Sequence, residues 1–104
     1  MKRVYLCADG EKDVRTLFHH LISSGAAPAA PQMYALMLEP GSEEEQTQMT
    51  RAGESLLWLC DEVWVVGEPT PDMARQTRTA RLLNLPVRQL KESDIKKMGG
   101  NLNE

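Results

Sequence analysis

The strongest strand signal in the sequence is Val63-Trp64-Val65-Val66, which Gly67 follows directly. All four side chains are apolar, so neither face of this strand suits contact with water. Such β-branched and aromatic residues also favour extended backbone. A strand that is apolar on both faces is typical of the centre of a parallel sheet, where helices cover both sides. We therefore predict an α/β fold around this segment.

Hydrophobic periodicity predicts a strand and then a helix at the start of the chain. Val4 to Ala8 is a short apolar run. After Asp9-Gly10, one helical face carries the apolar residues Val14, Leu17, Phe18, Leu21 and Ile22. Ala26 to Ala30 is the second predicted strand. Because Pro28 cannot donate a ladder hydrogen bond, we expect that strand to be short or to lie at an edge.

A capping box predicts the start of the next helix, because Glu45 follows Ser42 by three positions. The apolar stripe of that helix is Met49, Ala52, Leu56 and Leu59. Gly53 lies beside the stripe, and we expect it to allow a close approach to the sheet. The other predicted segments are a loop or short helical turn at 32–38, a helix at 72–84, a strand at 86–90 and a terminal helical turn at 93–98.

Strands that alternate with helices predict parallel pairing and right-handed crossovers. We expect a small three-layer domain of flavodoxin- or Rossmann-like type, with a parallel sheet of four strands, or five. The 104 residues fit one domain. We place this domain at 1–98 and predict a flexible C-terminal tail at 99–104.

Charge and hydropathy exclude some partners. The formal net charge is −3, whereas a nucleic-acid-binding surface normally carries an excess of Lys and Arg. No apolar run approaches the roughly 18–20 residues that span a bilayer. The basic and then apolar start of the chain ends at Asp9, which is too short for a secretory signal. We therefore expect a cytoplasmic protein that binds neither nucleic acid nor membrane.

The cysteines and histidines do not form a metal motif. Cys7 and Cys60 each lie in or beside an apolar run, which is typical of buried, reduced thiols. Neither belongs to a CxxC pair or has a histidine at ligand spacing. His19 and His20 are adjacent on a helix, so their side chains diverge by about 100°. We predict no metal site and no cofactor.

Ligands of open parallel sheets bind outside the carboxyl ends of the strands, where the strand order reverses. In this chain those ends are followed by three segments, namely 7–10, 30–34 and 67–76. Asp9, Glu11 and Asp13 crowd the first of these loops and would repel a phosphate. An uncharged nucleoside suits that loop better than a nucleotide.

Four segments resemble the nucleoside 2-deoxyribosyltransferase-like superfamily in their order and spacing. They are Val4-Tyr5-Leu6-Cys7, Ala30-Pro31-Gln32, the stretch from Cys60 to Gly67, and the stretch from Met73 to Val87. Within that superfamily the chain is most similar to short, uncharacterised bacterial and phage domains. The resemblance covers most of residues 3–90.

This resemblance implies a fold and a site. Active members use a glutamate early in the last helix as the nucleophile, and the corresponding position here is Gln76, four residues after Asp72. A neutral amide is a poor nucleophile, so we expect a degenerate domain that binds a nucleoside- or nucleotide-like ligand with weak or no catalysis. Together, the resemblance and the position of the carboxyl strand ends give these candidate ligand-binding residues: Tyr5, Cys7, Asp9, Gly10, Asp61, Gly67 and Gln76.

Two other functions stay open. The domain is an active N-glycosidic-bond hydrolase or transferase if Asp72 or Asp9 supplies the carboxylate, or it is a non-enzymatic oligomeric interaction module. Each site residue also has a structural interpretation. Asp61 is a turn residue, Asp9 is a helix N-cap, Asp72 has an N-terminal capping or helix-dipole role, and Gln76 is a solvated helix residue.

Trp58 lies roughly opposite the apolar stripe of its helix, so it cannot pack on the sheet with that stripe. An exposed tryptophan beside Leu57 favours a homo-oligomer through the Trp58 face. Arg75, Arg78 and Arg81 recur every three residues on the last long helix. They form either a solvated face or a basic stripe that binds an anion.

Overall fold

The computed structural model of the chain describes residues 1–31, 34 and 41–102. Its four strands are β1 (Arg3–Cys7), β2 (Ala27–Ala29), β3 (Glu62–Val66) and β4 (Val87–Leu90). Its helices are α1 (Glu11–Ser23), α2 (Glu43–Ser55), α3 (Pro71–Leu82) and α4 (Glu92–Leu102), and a 3-10 turn (Leu56–Leu59) follows α2. All strand pairs are parallel, in the order β2-β1-β3-β4. The predicted α/β fold with a four-stranded parallel sheet is confirmed.

The two faces of the sheet bury different residues of the central strands. On β1, Val4 and Leu6 pack on one face beneath α1 and α4, together with Trp64 from β3. Tyr5 and Cys7 point to the opposite face, where they pack with residues of the 3-10 turn and α3: Leu57, Met73 and Ala80. Helices therefore cover both sides, as the doubly apolar central strands require. The predicted third layer is present.

Proline restricts the second strand as expected. β2 has only three residues and pairs with β1 alone, in the register Arg3 with Ala27 and Tyr5 with Ala29. Gly25, just before it, has φ +84, a left-handed conformation that suits a glycine after a helix. Of the segment 32–38, only Tyr34 belongs to the described residues.

Two apolar positions that the helical pattern assigned to the core are exposed. Ile22 is 63% exposed at the end of α1. Leu59 is 59% exposed, and Leu57 is buried in its place. The reason is that α2 gives way after Ser55 to the 3-10 turn, which has fewer residues per turn and so rotates the following side chains.

The last helix is longer than the terminal turn predicted at 93–98. α4 continues to Leu102, past the predicted domain end at residue 98. Ile95 and Met98 are buried in the core, and a Cβ on Gly99 would lie 3.6 Å from a methyl carbon of Thr16 on α1. Packing on α1 thus stabilises a helix whose sequence has few apolar residues. The flexibility of 99–104 stays a prediction.

No helix among the described residues combines the length and hydropathy needed to cross a bilayer.

Gly53 makes the close approach expected of it, although its partner is the residue after β2 and not a strand of the sheet. A Cβ at Gly53 would lie 2.6 Å from the Cα of Pro31. Backbone there cannot yield as a flexible side chain would. This contact therefore presses the last turn of α2 onto the start of the chain segment that follows β2.

Replacing Gly53 by alanine should lower the free energy of unfolding by about 1–3 kcal/mol, because the added methyl overpacks this contact. The matched control is Gly99→Ala, which also replaces a helical glycine but meets only ordinary van der Waals contact. Helix propensity alone would raise stability by up to about 1 kcal/mol in that variant. Urea denaturation measures both. Equal stability of Gly53→Ala and the native chain would contradict the contact.

Candidate functional site

A cavity of about 400 Å³ lies at the carboxyl ends of the strands, in the size range of small-molecule sites. The chain leaves β1 for β2 on one side and reaches β3 on the other, so the strand order reverses between β1 and β3. Four parts of the fold line the cavity: Ala8 and Asp9 after β1, Pro31 after β2, Gln46, Met49 and Thr50 on α2, and Thr70, Asp72, Met73 and Gln76 at the start of α3.

The start of α3 is set by Thr70, whose Oγ1 accepts a hydrogen bond from the backbone N–H of Met73 at 3.2 Å. Pro71 follows at the first helical position, which its fixed φ favours. Asp72 is therefore not the N-cap, but it lies in the first turn of α3, where a carboxylate suits the helix dipole. Its side chain is 64% exposed at the rim of the cavity.

One turn later, α3 places Gln76 against the end of β1. Gln76 is only 6% exposed and is the one buried polar side chain of the described residues. Its Oε1 accepts a hydrogen bond from the Cys7 Sγ at 3.4 Å. The interpretation of Gln76 as a solvated helix residue is wrong. Gln76 lines the cavity, and its role toward a ligand stays a prediction.

The thiol of Cys7 is held in its protonated form. Burial raises the pKa of Cys7 to about 12, and the neighbouring Thr77 hydroxyl opposes that rise only in part. Cys7 therefore acts as a hydrogen-bond donor at neutral pH and not as a thiolate nucleophile. Cys60 is also a buried free thiol, and burial raises its pKa as well.

Tyr5 lies on the same face of β1 as Cys7 but does not line the cavity. Its hydroxyl is fully buried and has no hydrogen-bond partner among the described residues. Burial raises the pKa of Tyr5 far above its usual value, and the nearby Cys7 adds to that effect. Tyr5 therefore stands as a neutral phenol in the core, and its ligand contact stays a prediction.

Asp9 and Gly10 lie where β1 passes into α1, and Asp9 lines the cavity whereas Gly10 does not. The side chain of Asp9 is exposed. Gly10 is the N-cap of α1, with extended backbone at φ −121 and no side-chain cap. Asp9 is thus not an N-cap, and its carboxylate is available to the cavity.

Asp61 lies at the opposite edge of the sheet. It precedes β3, and its Oδ2 accepts a hydrogen bond from the backbone N–H of Arg3 at 2.7 Å, where β1 begins. The Arg3 Nε stands 3.9 Å from the same oxygen. Asp61 is therefore a structural turn residue that does not belong to this cavity, contrary to the prediction.

Gly67 directly follows β3 at the carboxyl edge of the sheet, but it does not line the cavity either. It adopts φ +75, which favours glycine, and its carbonyl accepts a hydrogen bond from the Gln89 Nε2 at 3.3 Å. Gly67 thus connects the ends of β3 and β4, on the far side of α3 from Asp9.

The three arginines of α3 separate into two environments. Arg75 hydrogen-bonds to Glu54 on α2 and forms an ion pair with Asp72 at 3.0 Å, and the bond to Glu54 raises its pKa. It joins α2 to α3 beside the cavity. Arg78 and Arg81 instead line a second groove of about 570 Å³ between α3 and β4. The predicted stripe is therefore not continuous.

Sequence reasoning missed the wall that α2 contributes. Gln46 and Thr50 are one helical turn apart and flank Met49, so they share a face. Two polar residues on the same helical face as Met49 indicate that this face lines a cavity. The sequence does not locate that cavity, because periodicity alone does not tell which edge of the sheet a helix crosses.

The model of a family described as a domain of unknown function, DUF7768, matches residues 2–90. The chain belongs to this family. A comparison with proteins of curated function finds no match.

The DUF7768 domain is similar in structure to a 2-deoxyribosyltransferase from Bacillus psychrosaccharolyticus, with a TM-score of 0.70. The two sequences are 20% identical, and the match covers 86% of this chain and 72% of the other. The structural relationship to 2-deoxyribosyltransferases is thereby established at the level of the fold.

The buried thiol predicts alkaline destabilisation of the domain. Burial raises the pKa of the Cys7 thiol from its ordinary value of 9.0, which holds in the unfolded chain, to about 12 in the folded chain. Between these values the unfolded chain releases the Cys7 proton while the folded chain keeps it, so the free energy of unfolding falls as the pH rises. One unit above the unfolded pKa, the loss is about 1.4 kcal/mol.

Urea denaturation at about pH 8 and pH 10 should therefore show a larger loss for the native chain than for Cys7→Ser. Cys60→Ser serves as the control for the second buried thiol. An identical loss in the native chain and in Cys7→Ser would contradict the burial of the Cys7 thiol.

Proposed function

We propose that this DUF7768 domain binds a nucleoside- or nucleotide-like ligand in the cavity between α2 and α3, with weak or no cleavage of the glycosidic bond. The observation that carries the proposal is the burial of Gln76 in the cavity lining. By resemblance, this position holds the nucleophilic glutamate of active deoxyribosyltransferases.

The missing carboxylate explains why weak catalysis is expected. In the two-step reaction, a carboxylate oxygen forms a bond to the anomeric carbon while the C–N bond breaks and the base leaves with its electron pair and takes up a proton. Water then cleaves the glycosyl ester. The amide of Gln76 is neutral, and its oxygen already accepts a hydrogen bond from the Cys7 thiol. It cannot supply that nucleophile.

The lining supports an uncharged ligand with an apolar and a polar part. Met49 and Met73 offer thioether and methylene surface to a base ring, and Thr50 and Thr70 offer hydroxyl groups to a sugar. The charged side chains of the described lining are the carboxylates of Asp9 and Asp72. These favour a nucleoside over a phosphorylated ligand.

The same two carboxylates support the alternative of an active N-glycosidic-bond hydrolase or transferase. Both line the cavity. Asp72 is the weaker nucleophile of the two, because Arg75 neutralises it across a 3.0 Å ion pair. Asp9 has no ion pair among the described residues and is the better candidate.

Ligand binding should raise the thermal midpoint of the native chain. A ligand at about 100 times its dissociation constant adds roughly 2.7 kcal/mol, and each kcal/mol raises the midpoint by about 4–8 °C in a domain of this size. The panel contains nucleosides, deoxynucleosides, nucleotides and free bases. We expect the largest shift with unphosphorylated nucleosides. The absence of any shift across the panel would contradict the proposal.

Restoring the carboxylate with Gln76→Glu should create slow base release from a bound deoxynucleoside, measured by chromatography of the free base. The matched control is Gln46→Glu, which adds the same charge to another residue of the cavity lining. Release by the native chain, abolished in Asp9→Asn, would instead support the active enzyme. Equal release by both glutamate variants would contradict the assignment of Gln76.

We also propose that the domain self-associates through the Trp58 face. Trp58 is 68% exposed and the adjacent Leu59 is exposed as well, so the 3-10 turn presents two large apolar side chains to solvent. Sedimentation of the native chain should give more than one chain per particle, and Trp58→Asp should give monomers. An unchanged mass in Trp58→Asp would exclude this face.

A further inference from the structure

We propose that Cys7 is a positioning residue that fixes the orientation of the Gln76 amide, so that its Nε2 donates into the cavity and the ligand must present a hydrogen-bond acceptor there. This inference rests on the proposed function, because it concerns the same cavity. It assigns a role to a residue that the lining of the cavity does not include.

The contact joins two rigid elements. Cys7 is the last residue of β1 and pairs with Val65 on the neighbouring central strand. It is buried at 1% exposure, and Gln76 lies above it on the second turn of α3. Strand and helix therefore hold the Sγ and the Oε1 at 3.4 Å without help from solvent.

The chemistry of the two groups permits one favourable orientation. A protonated thiol has one proton to donate, and an amide has one acceptor atom, so Oε1 faces the sulfur. With the amide turned over, the N–H groups of Nε2 would face the sulfur, which is only a weak acceptor, and the thiol proton would lose the amide oxygen as its acceptor. The Thr77 hydroxyl donates to the Met73 carbonyl at 2.8 Å, so its proton does not compete with the thiol for the Gln76 oxygen.

The free end of the amide is reachable from the cavity. Nε2 has no hydrogen-bond partner among the described residues. In the same part of the chain, the polar side-chain atoms that are both fully buried and unpartnered are the Tyr5 hydroxyl and the Trp64 Nε1. Nε2 is not one of them, so it keeps contact with solvent, and the cavity that Gln76 lines is the route.

A fixed N–H donor selects the ligand group that meets it. The donor is satisfied by a carbonyl, hydroxyl or ring oxygen, or by an unprotonated ring nitrogen. An exocyclic amino group of a base or an ammonium group would instead place its own N–H against the N–H of Gln76. A site that hydrogen-bonds its ligand rejects an analogue without the matching group far more strongly than an apolar pocket does. Cys7 thereby contributes to specificity without touching the ligand.

The test uses nitrogen-15 NMR of the full chain without ligand. The side-chain NH2 signals of Gln76 are identified by their loss in Gln76→Ala. Cys7→Val removes the donor and keeps a side chain of similar size that suits a strand, and Cys7→Ser keeps a donor. We expect the Gln76 NH2 signals to move or broaden in Cys7→Val and to stay sharp in Cys7→Ser. Cys7→Ala is the second non-donor variant if the valine does not fold.

The second measurement is the dissociation constant for 2′-deoxyadenosine as the probe. Loss of the orienting bond should raise it about fivefold in Cys7→Val, with little change in Cys7→Ser. In a Gln76→Ala background, Cys7→Val should add nothing, because the two residues act through one amide. Additive effects, or equal effects of valine and serine, would overturn the inference, as would Gln76 signals unmoved in both non-donor variants.

Failure of the two proposals is distinguishable. If the native chain does not bind the probe, the proposed function fails at that point. The NMR comparison still decides whether Cys7 orients Gln76.

Discussion

Two central strands that are buried on both faces constrain every other element of the domain. β1 and β3 lie side by side in the middle of the sheet, and from Val4 to Cys7 and from Val63 to Val66 each residue is buried. Removing that apolar surface from water requires a helical layer on each side. α1 and α4 form one layer, and α3 with the 3-10 turn forms the other. The parallel direction of the strands then brings both carboxyl ends to one edge.

The cavity exists because the helical layer formed by α3 and the 3-10 turn does not fully cover the carboxyl edge of the sheet. α2 touches the rest of the domain mainly near its end, through Gly53 on Pro31 and through Glu54 on Arg75. Its earlier turns stand away from α3, and the space between them holds Gln76 on its floor. A buried amide with one end hydrogen-bonded to the sheet is suited to recognition. The same position in an active transferase, by resemblance, holds a charged nucleophile. In the function we propose, the amide of Gln76 in place of a carboxylate allows ligand binding but not efficient catalysis.

Much of the fold could be predicted from the sequence, because it depends on strong local signals. The apolar run at 63–66, the Ser42 cap and Pro28 each act within a few residues, and each prediction is confirmed. The pattern assigned Leu59 to the core, whereas Leu57 is the buried residue. Periodicity cannot recognise the change from α-helical to 3-10 geometry that causes this difference. The length of α4 depended on packing against α1, which is a tertiary effect.

The site was predicted less completely, since it depends on which residues meet across the chain. Asp9, Asp72 and Gln76 were brought together as expected. Asp61 was not, although its place before a parallel strand already assigns it to the amino edge of the sheet. The burial of Gln76 could not be derived from its residue type, because glutamine on a polar helix is normally solvated. Only the approach of α3 to the end of β1 decides it.

In the function we propose, the ligand binds between α2 and α3 at the carboxyl edge of the sheet. The most direct measurement is the change in backbone amide NMR signals as 2′-deoxyadenosine is added to the native chain. We expect the signals of Ala8, Thr50 and Gln76 to shift and the amide signal of Asp61 to stay unchanged. Shifts confined to Arg81 and Gln89, in the groove between α3 and β4, would contradict this proposal.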